Sequence, residues 1–194
     1  TEYRIAIQTG GEPVIPDDDY ETLKKRSGDD FASQMGKSDI TFDDTFADMP
    51  ANRRLERLRN DPDARDAGLT ALYFRFGKYL LVASSRPGSL PAHLQGVWNN
   101  YTAAPWNADY HTNINLQMNY WHAETANLSD CSLPLFDYMN KYLLESGKKT
   151  AEDYYGCRGT VVHHLSDIYG FTAPADGIWG LWPLGGAWLC YSMW

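Results

Sequence analysis

From Asp66 onward, apolar residues return at three- and four-residue spacing. Leu69, Leu72, Tyr73, Phe76, Leu80 and Ala83 fall on one stripe, the pattern of a helix that buries a single face. Ser84-Ser85-Arg86-Pro87-Gly88 stops it. Upstream, the alternation Tyr3-Arg4-Ile5-Ala6-Ile7 predicts a strand, closed by Gly10-Gly11, Pro13 and Pro16. Asp17-Asp18-Asp19 then supplies the acidic start of a helix expected from Tyr20 to Gln34, with Gly28 weakening its middle. The polar stretch 37–52 reads as a connector, and a short charged helix from Asn52 to Asn60 ends at Pro62.

Residues 85–112 show no periodicity and are rich in Pro, Asn and Gly, with Trp98 and Trp106 inside. A loop of that length in a compact domain is usually functional. Helices are predicted over Asn113–Ala126 and Ser132–Glu145. In the second, Ser132 suits the N-cap, Pro134 the first turn and Gly147 the C-terminal cap. A short helix is expected at Thr150–Tyr155, a strand or extended loop at Thr160–Val162, and a loop over Tyr169–Gly180. A final helix begins at Trp182 with Pro183 in its first turn, and it reaches Trp194 without a polar tail. Termini usually lie exposed, so the chain is expected to be a piece of a longer protein.

Composition narrows the function. Of 194 residues, 43% are hydrophobic and 22% charged, a globular balance. No run of about 18 apolar residues occurs, so no membrane span is predicted. The net charge of −8 argues against a nucleic-acid partner, which requires a basic stripe. Cys131, Cys157 and Cys190 have no metal-type spacing and are expected to be buried small apolar residues. All seven tryptophans and all five histidines lie at or beyond position 93, whereas 13 of the 17 Lys and Arg lie in the first 97 residues. An aromatic, cation-poor half suits either a large aromatic core or a neutral ligand that stacks on rings, such as a sugar.

Three clusters could carry chemistry. In Trp106-Asn107-Ala108-Asp109-Tyr110-His111-Thr112-Asn113-Ile114-Asn115, continuing to Asn119, directional polar groups are dense. Asparagine is a poor helix former, and residues two apart point to opposite sides of a helix. Asn113 and Asn115 can therefore share a pocket only where the chain is extended or just starting a helix; capping and structural amides are the other reading. The second cluster joins His163-His164 and Asp167 to Asp176-Gly177, Trp179-Gly180 and Trp182-Pro183. Adjacent histidines diverge and make a poor metal site, so the tryptophans read rather as a stacking platform. The third, Ser84 to Asn99, lacks the frame of a nucleophile elbow. Asp109, Glu124, Asp167 and Asp176 are the candidate carboxylates for glycoside hydrolysis, which usually takes a pair.

Together these clusters resemble glycoside hydrolase family 95. The resemblance rests on Ala83-Ser84-Ser85-Arg86-Pro87-Gly88, on Leu94-Gln95-Gly96 with Trp98-Asn99, and on Asp109 to Asn115 running on to Met118-Asn119-Tyr120-Trp121. It extends through Glu124, Asn127-Leu128-Ser129, His163-His164, Thr172-Ala173-Pro174 and Gly185-Gly186-Ala187-Trp188. It is continuous from about residue 66 and weaker over 20–42. Ser27 and His122 depart from the family pattern.

The resemblance implies a mainly α fold: the first helices of an (α/α)6 barrel over 66–194, a helical linker over 17–65, and the end of a β-domain over 1–16. It implies hydrolysis of terminal α-L-fucosides, typically α-1,2-linked, with inversion and without a cofactor or metal. The attacking water would be held by Asn113 and Asn115, with His111, Asp167 and Trp182 as sugar contacts. The family's general-acid glutamate and assisting aspartate would lie beyond Trp194, so the chain alone is expected to be inactive. The expected partner is a fucosylated glycan, and the full-length protein is expected to be secreted, periplasmic or at the cell surface. An α-L-galactosidase of the same fold and a non-catalytic carbohydrate-binding module are the alternatives.

Overall fold

The computed structural model describes residues 14–193 and is mainly helical; the expected strand Tyr3–Ile7 and the terminal Trp194 lie outside these residues. Two compact units divide between Gln34 and Met35. In the first, α1 (Tyr20–Met35) buries no residue. Asp19 Oδ1 accepts the Thr22 amide at 2.8 Å and closes its first turn. Lys25 and Asp29 pair one turn apart.

The second unit begins with an ionic knot. In α2 (Ala51–Asn60) Arg54 is buried, and its guanidinium donates to both oxygens of Asp66, at 3.0 and 2.5 Å, and to Asp44 at 2.8 Å. Asp66 also caps α3 (Ala67–Ser84) by accepting the Leu69 amide at 2.8 Å. The guanidinium holds the Asp66 carboxyl far below the usual carboxylate range, so one side chain starts a helix and ties it to its predecessor.

The helix α3 matches the sequence expectation, but its buried face does not. Gly68, Ala71, Lys78, Leu81 and Val82 are buried, whereas Leu72, Tyr73, Phe76 and Leu80 are exposed. Leu69, Leu72, Tyr73 and Phe76 line an apolar groove of about 610 Å³ with Leu55 and Leu58 of α2. Small residues make the close contact on the inner face. Lys78 is tolerated there because its ammonium donates to the Met35 carbonyl at 2.8 Å and to the carbonyl and hydroxyl of Ser38. Of the cysteines, only Cys131 is buried; Cys157, just past a helix end, and Cys190, on an outward face, are exposed.

The helix expected over Asn113–Ala126 is regular only in α4 (Asn115–Tyr120). Beyond it the bonds shorten to three-residue spacing (Ala123 to Tyr120, Asn127 to Glu124), and Leu128 then bonds back to Ala123. The next helix is longer than expected: α5 (Leu133–Tyr138), a π-helical turn (Met139–Leu143) and α6 (Leu144–Tyr155) follow without a break. Ser132 precedes α5 but does not cap it with its side chain, because Glu124 takes the hydroxyls of Ser129 and Ser132. Gly147 is internal; Gly156, in the left-handed conformation, is the real cap. The glycine at 147 answers a tertiary need, since a Cβ there would collide with Thr160 Cγ2 and meet the Val161 carbonyl at 3.0 Å. The last helix, α7 (Gly185–Tyr191), starts after Pro183. Leu81, Val82, Leu116, Tyr120, Leu135, Tyr138 and Leu189 are among the core residues of the second unit.

These contacts separate two glycines that helix propensity alone treats alike. Gly28→Ala, with nothing within 4 Å of its added methyl, should stabilise α1 by about 0.4–1 kcal/mol. Gly147→Ala should instead cost about 1–3 kcal/mol through overpacking. Urea denaturation of both variants beside the parent decides it, and a stabilised Gly147→Ala protein would remove the 160–161 segment from that helix face.

Candidate active site

The long segment after α3 is pinned from beneath by one directional chain of hydrogen bonds. Ser85 Oγ donates to the Cys131 carbonyl at 2.8 Å, so it accepts from the Tyr120 hydroxyl, also 2.8 Å away. The Tyr120 hydroxyl in turn accepts the Ala92 amide at 2.9 Å. Burial pushes the Tyr120 phenol up to about 12, so it stays protonated and the chain stays intact. Further along, Trp106, Asn107 and Ala108 are consecutive residues with φ of 47°, 57° and 54°. That left-handed turn is costly for non-glycine residues, and it leaves Trp106 74% exposed.

Three chain segments then meet. Strand β1 (Tyr110–His111) pairs antiparallel with β2 (Leu165–Ser166), setting His111 opposite Leu165. Thr112, fully buried, donates its amide to the His164 carbonyl at 2.8 Å and its hydroxyl to the His163 carbonyl. The Gln117 amide group bonds the Thr112 carbonyl from α4 at 2.5 Å. The third segment is the start of α7. Gly185 donates to the Val162 carbonyl at 3.0 Å, and a Cβ on Gly185 would strike Thr112 Oγ1 and the carbonyls of His163 and Val162.

This junction fixes where the expected site residues stand. Asn113 lies in the turn before α4 and Asn115 is its first residue. Both side chains are exposed and hydrogen-bond to no described residue. Ile114 between them, with φ −179° and ψ −40°, is the N-cap position, so the backbone there is at a helix start. His111 is half-buried, and its ring meets that of His164 edge-on with centroids 6.2 Å apart. Burial lowers the proton affinity of both imidazoles. Asp109 acts on His111 in the opposite direction, and the neighbouring His111 and His163 lower His164 further. His164 Nδ1 is buried without a partner among the described residues.

The remaining residues play different parts. Asp167 Oδ1 accepts the amides of Tyr169 and Phe171 at 2.8 and 3.1 Å, so half of that carboxylate already holds its own turn. Trp182 is half-buried, with its ring 6.3 Å from that of Trp188, and Trp179 is 69% exposed. His163 is a core residue: Nδ1 lies 2.7 Å from the Thr172 carbonyl, which makes Nε2 the acceptor for the Tyr155 hydroxyl at 2.7 Å. Glu124 is engaged by Ser129 and Ser132, and Asp176 is exposed.

Chemically, the groups around the start of α4 are two exposed carboxamides and two half-buried imidazoles, each offering both donors and acceptors. They suit hydroxyls and water, and none is a strong base. Sequence spacing alone missed Thr112, Gln117 and Gly185, whose role is to bring segments together. It also rejected His164 as a metal ligand and gave it no other role, although its ring meets that of His111.

The profile of the Glycosyl hydrolase family 95 catalytic domain matches residues 19–194. Over 146 residues, 74% of this chain, the sequence is 48% identical to Alpha-L-fucosidase 2 of Arabidopsis thaliana, of which it covers 17%. It is 36% identical over 179 residues, 90% of the chain, to a Probable alpha-fucosidase A of Aspergillus niger, covering 22% of that protein. A Probable alpha-fucosidase A of Aspergillus oryzae is 45% identical over 107 residues, 55% of the chain and 15% of the relative. The chain thus spans about a fifth of the length of these curated relatives.

The lowered histidines set a pH dependence. For His93, His111, His122 and His164 the folded state binds protons less readily than the reference value of 6.5. Below that value the unfolded chain takes up protons that the folded chain resists, so stability falls as pH falls. The lowered carboxyls of Asp39 and Asp66 act only below their reference of 3.8, outside this window. Melting temperature should therefore drop between about pH 7 and about pH 5, and His164→Gln should flatten part of that slope. A melting temperature that rises on acidification contradicts the buried placement of these rings.

Proposed function

Because this chain belongs to glycosyl hydrolase family 95 and carries part of its catalytic domain, we propose that it forms the water-binding side of an inverting α-L-fucosidase active site. Residues 66–194 would be the first part of an (α/α)6 barrel, 17–65 the linker, and 1–16 the end of a β-domain. The substrate is a glycan with a terminal α-L-fucosyl group, whose hydroxyls suit the carboxamides and imidazoles of the site. The single observation that carries the reading is the pair Asn113 and Asn115, exposed at the start of α4 and without a hydrogen-bond partner among the described residues, two and four residues after His111.

A carboxamide takes up no proton near neutral pH, so the two asparagines act by orienting water toward the anomeric carbon. His111, as a neutral imidazole, donates to one sugar hydroxyl or accepts from it. Asp167 keeps one oxygen for a further hydroxyl, and Trp182 covers a C–H face of the ring. Protonation of the leaving oxygen and deprotonation of the water fall to carboxyl groups, since an amide does neither.

In the full-length enzyme, Asn113→Gly or Asn115→Gly should lower kcat by roughly 10²-fold or more, as expected for lost positioning. KM should change much less, since the loss falls in the transition state. Proton NMR of the early reaction should show β-L-fucose first, because a water held on the far face leaves no room for a covalent intermediate. Early α-L-fucose, or full activity in both variants, would reduce this segment to a helix cap.

A further inference from the structure

Four non-glycine residues among those described have a positive φ, and three of them are consecutive: Trp106, Asn107 and Ala108. Such a run persists only where its surroundings over-determine it, and strain of this kind gathers at functional sites. Here both ends are clamped. Gln95 Nε2 donates to the Pro105 carbonyl at 3.2 Å, and the Leu94 amide donates to the Asp109 carbonyl at 3.3 Å. Within the turn, the Asn107 amide reaches the Ala104 carbonyl at 3.0 Å and the Asp109 amide the Trp106 carbonyl at 3.1 Å.

The strain is not recovered by packing. Trp106 stands 74% exposed, and its indole has no hydrogen-bond partner and no ring contact among the described residues. A tryptophan that served the fold would bury its ring; this one is held out in solvent by a turn that works against its backbone. Beside it, Asn107 is exposed and Asp109 half-buried. Asn107 Nδ2 lies 3.5 Å from Asp109 Oδ2, and Asn107 Oδ1 and Asp109 Oδ1 have no partner among the described residues. Asp109 runs directly into β1, and its charge acts on the His111 ring, so the turn adjoins the groups assigned to fucose. No Lys or Arg occurs between Arg86 and Lys141, which leaves an anionic ligand without a local opposite charge. An indole face beside acceptor oxygens suits a neutral sugar, whose C–H face stacks and whose hydroxyls donate.

We propose that Trp106 is the platform for the sugar unit that carries the fucose, its indole packing on a C–H face of that unit while Asn107 Oδ1 and Asp109 Oδ1 accept its hydroxyls. This rests on the fucosidase reading above and deepens it, because it assigns the leaving-group side of the same site. The residue sets specificity: it touches the part of the glycan that departs and takes no part in holding water or fucose. The rigid turn presents the ring already in place, so little freedom is lost when the glycan arrives.

The test uses the full-length enzyme with 2′-fucosyllactose and α-L-fucosyl fluoride, of which only the first carries a further sugar. Trp106→Gly should lower kcat/KM for 2′-fucosyllactose about tenfold, mainly through KM, and leave the fluoride unchanged. Trp106→Tyr should keep most of the activity, since a phenol ring still stacks. The melting temperature of Trp106→Gly should hold or rise, because glycine adopts a positive φ without steric cost. In saturation-transfer NMR, lactose should bind the parent and not Trp106→Gly. That readout decides the platform even if the parent hydrolyses neither substrate, the result that would end the fucosidase reading instead. Equal losses on both substrates, no loss on either, a large fall in melting temperature, or lactose that binds both proteins alike or neither would overturn the proposal. So would a full-length structure in which another segment covers Trp106.

Discussion

The start of α7 has to come within contact of two carbonyl oxygens and a hydroxyl, and only a residue without a side chain permits it. Gly185 meets Thr112, His163 and Val162 at once, and its amide seals the approach with a bond to Val162. Thr112 then links back to the carbonyls of both histidines. The two-residue strands β1 and β2 would be negligible in isolation; here they are held by buried hydrogen bonds from either side. The geometry of His111, Asn113 and Asn115 follows from this junction, because each is within three residues of Thr112.

The same economy appears at Tyr138. Its phenol bonds Ser166 at 2.7 Å and the Asp167 carbonyl at 2.5 Å, and its ring lies 4.9 Å from that of Tyr110. One buried aromatic thus supports both strands from the helix below. Burial raises its phenol well above the ordinary value, so it remains a donor. The exposed asparagines rest on a layer tied by buried hydrogen bonds, an arrangement that favours precise positioning over adaptability.

How far the sequence disclosed this depends on what each residue answers to. The three- and four-residue spacing in α3 revealed a helix, because periodicity is local. It did not reveal which face is buried, since the inner face is Ala71, Lys78, Leu81 and Val82, and a lysine is acceptable there only through carbonyls some forty residues away. Gly147 misled for the same reason: it looks like a stop signal, but its missing side chain makes room for Thr160 and Val161. For the site, the paired asparagines and His111 stood out because polar residues were placed where a helix gains nothing from them. Gly185 and Gln117 did not, because their partners lie far along the chain.

The π-helical turn at Met139–Leu143 gives the long helix a phase that no uninterrupted α-helix would have. A residue advances an α-helix by about 100°, so removing one position here would rotate everything from Leu144 to Tyr155 by about that angle relative to α5. Thr150 would swing away from the Thr172 hydroxyl it bonds at 2.7 Å, and Gly147 away from Thr160. Insertions and deletions are ordinarily harmless in loops and harmful in helices. In this helix, a single extra residue is what lets Tyr138 serve the strands and Thr150 serve the loop at 172 along the same rod.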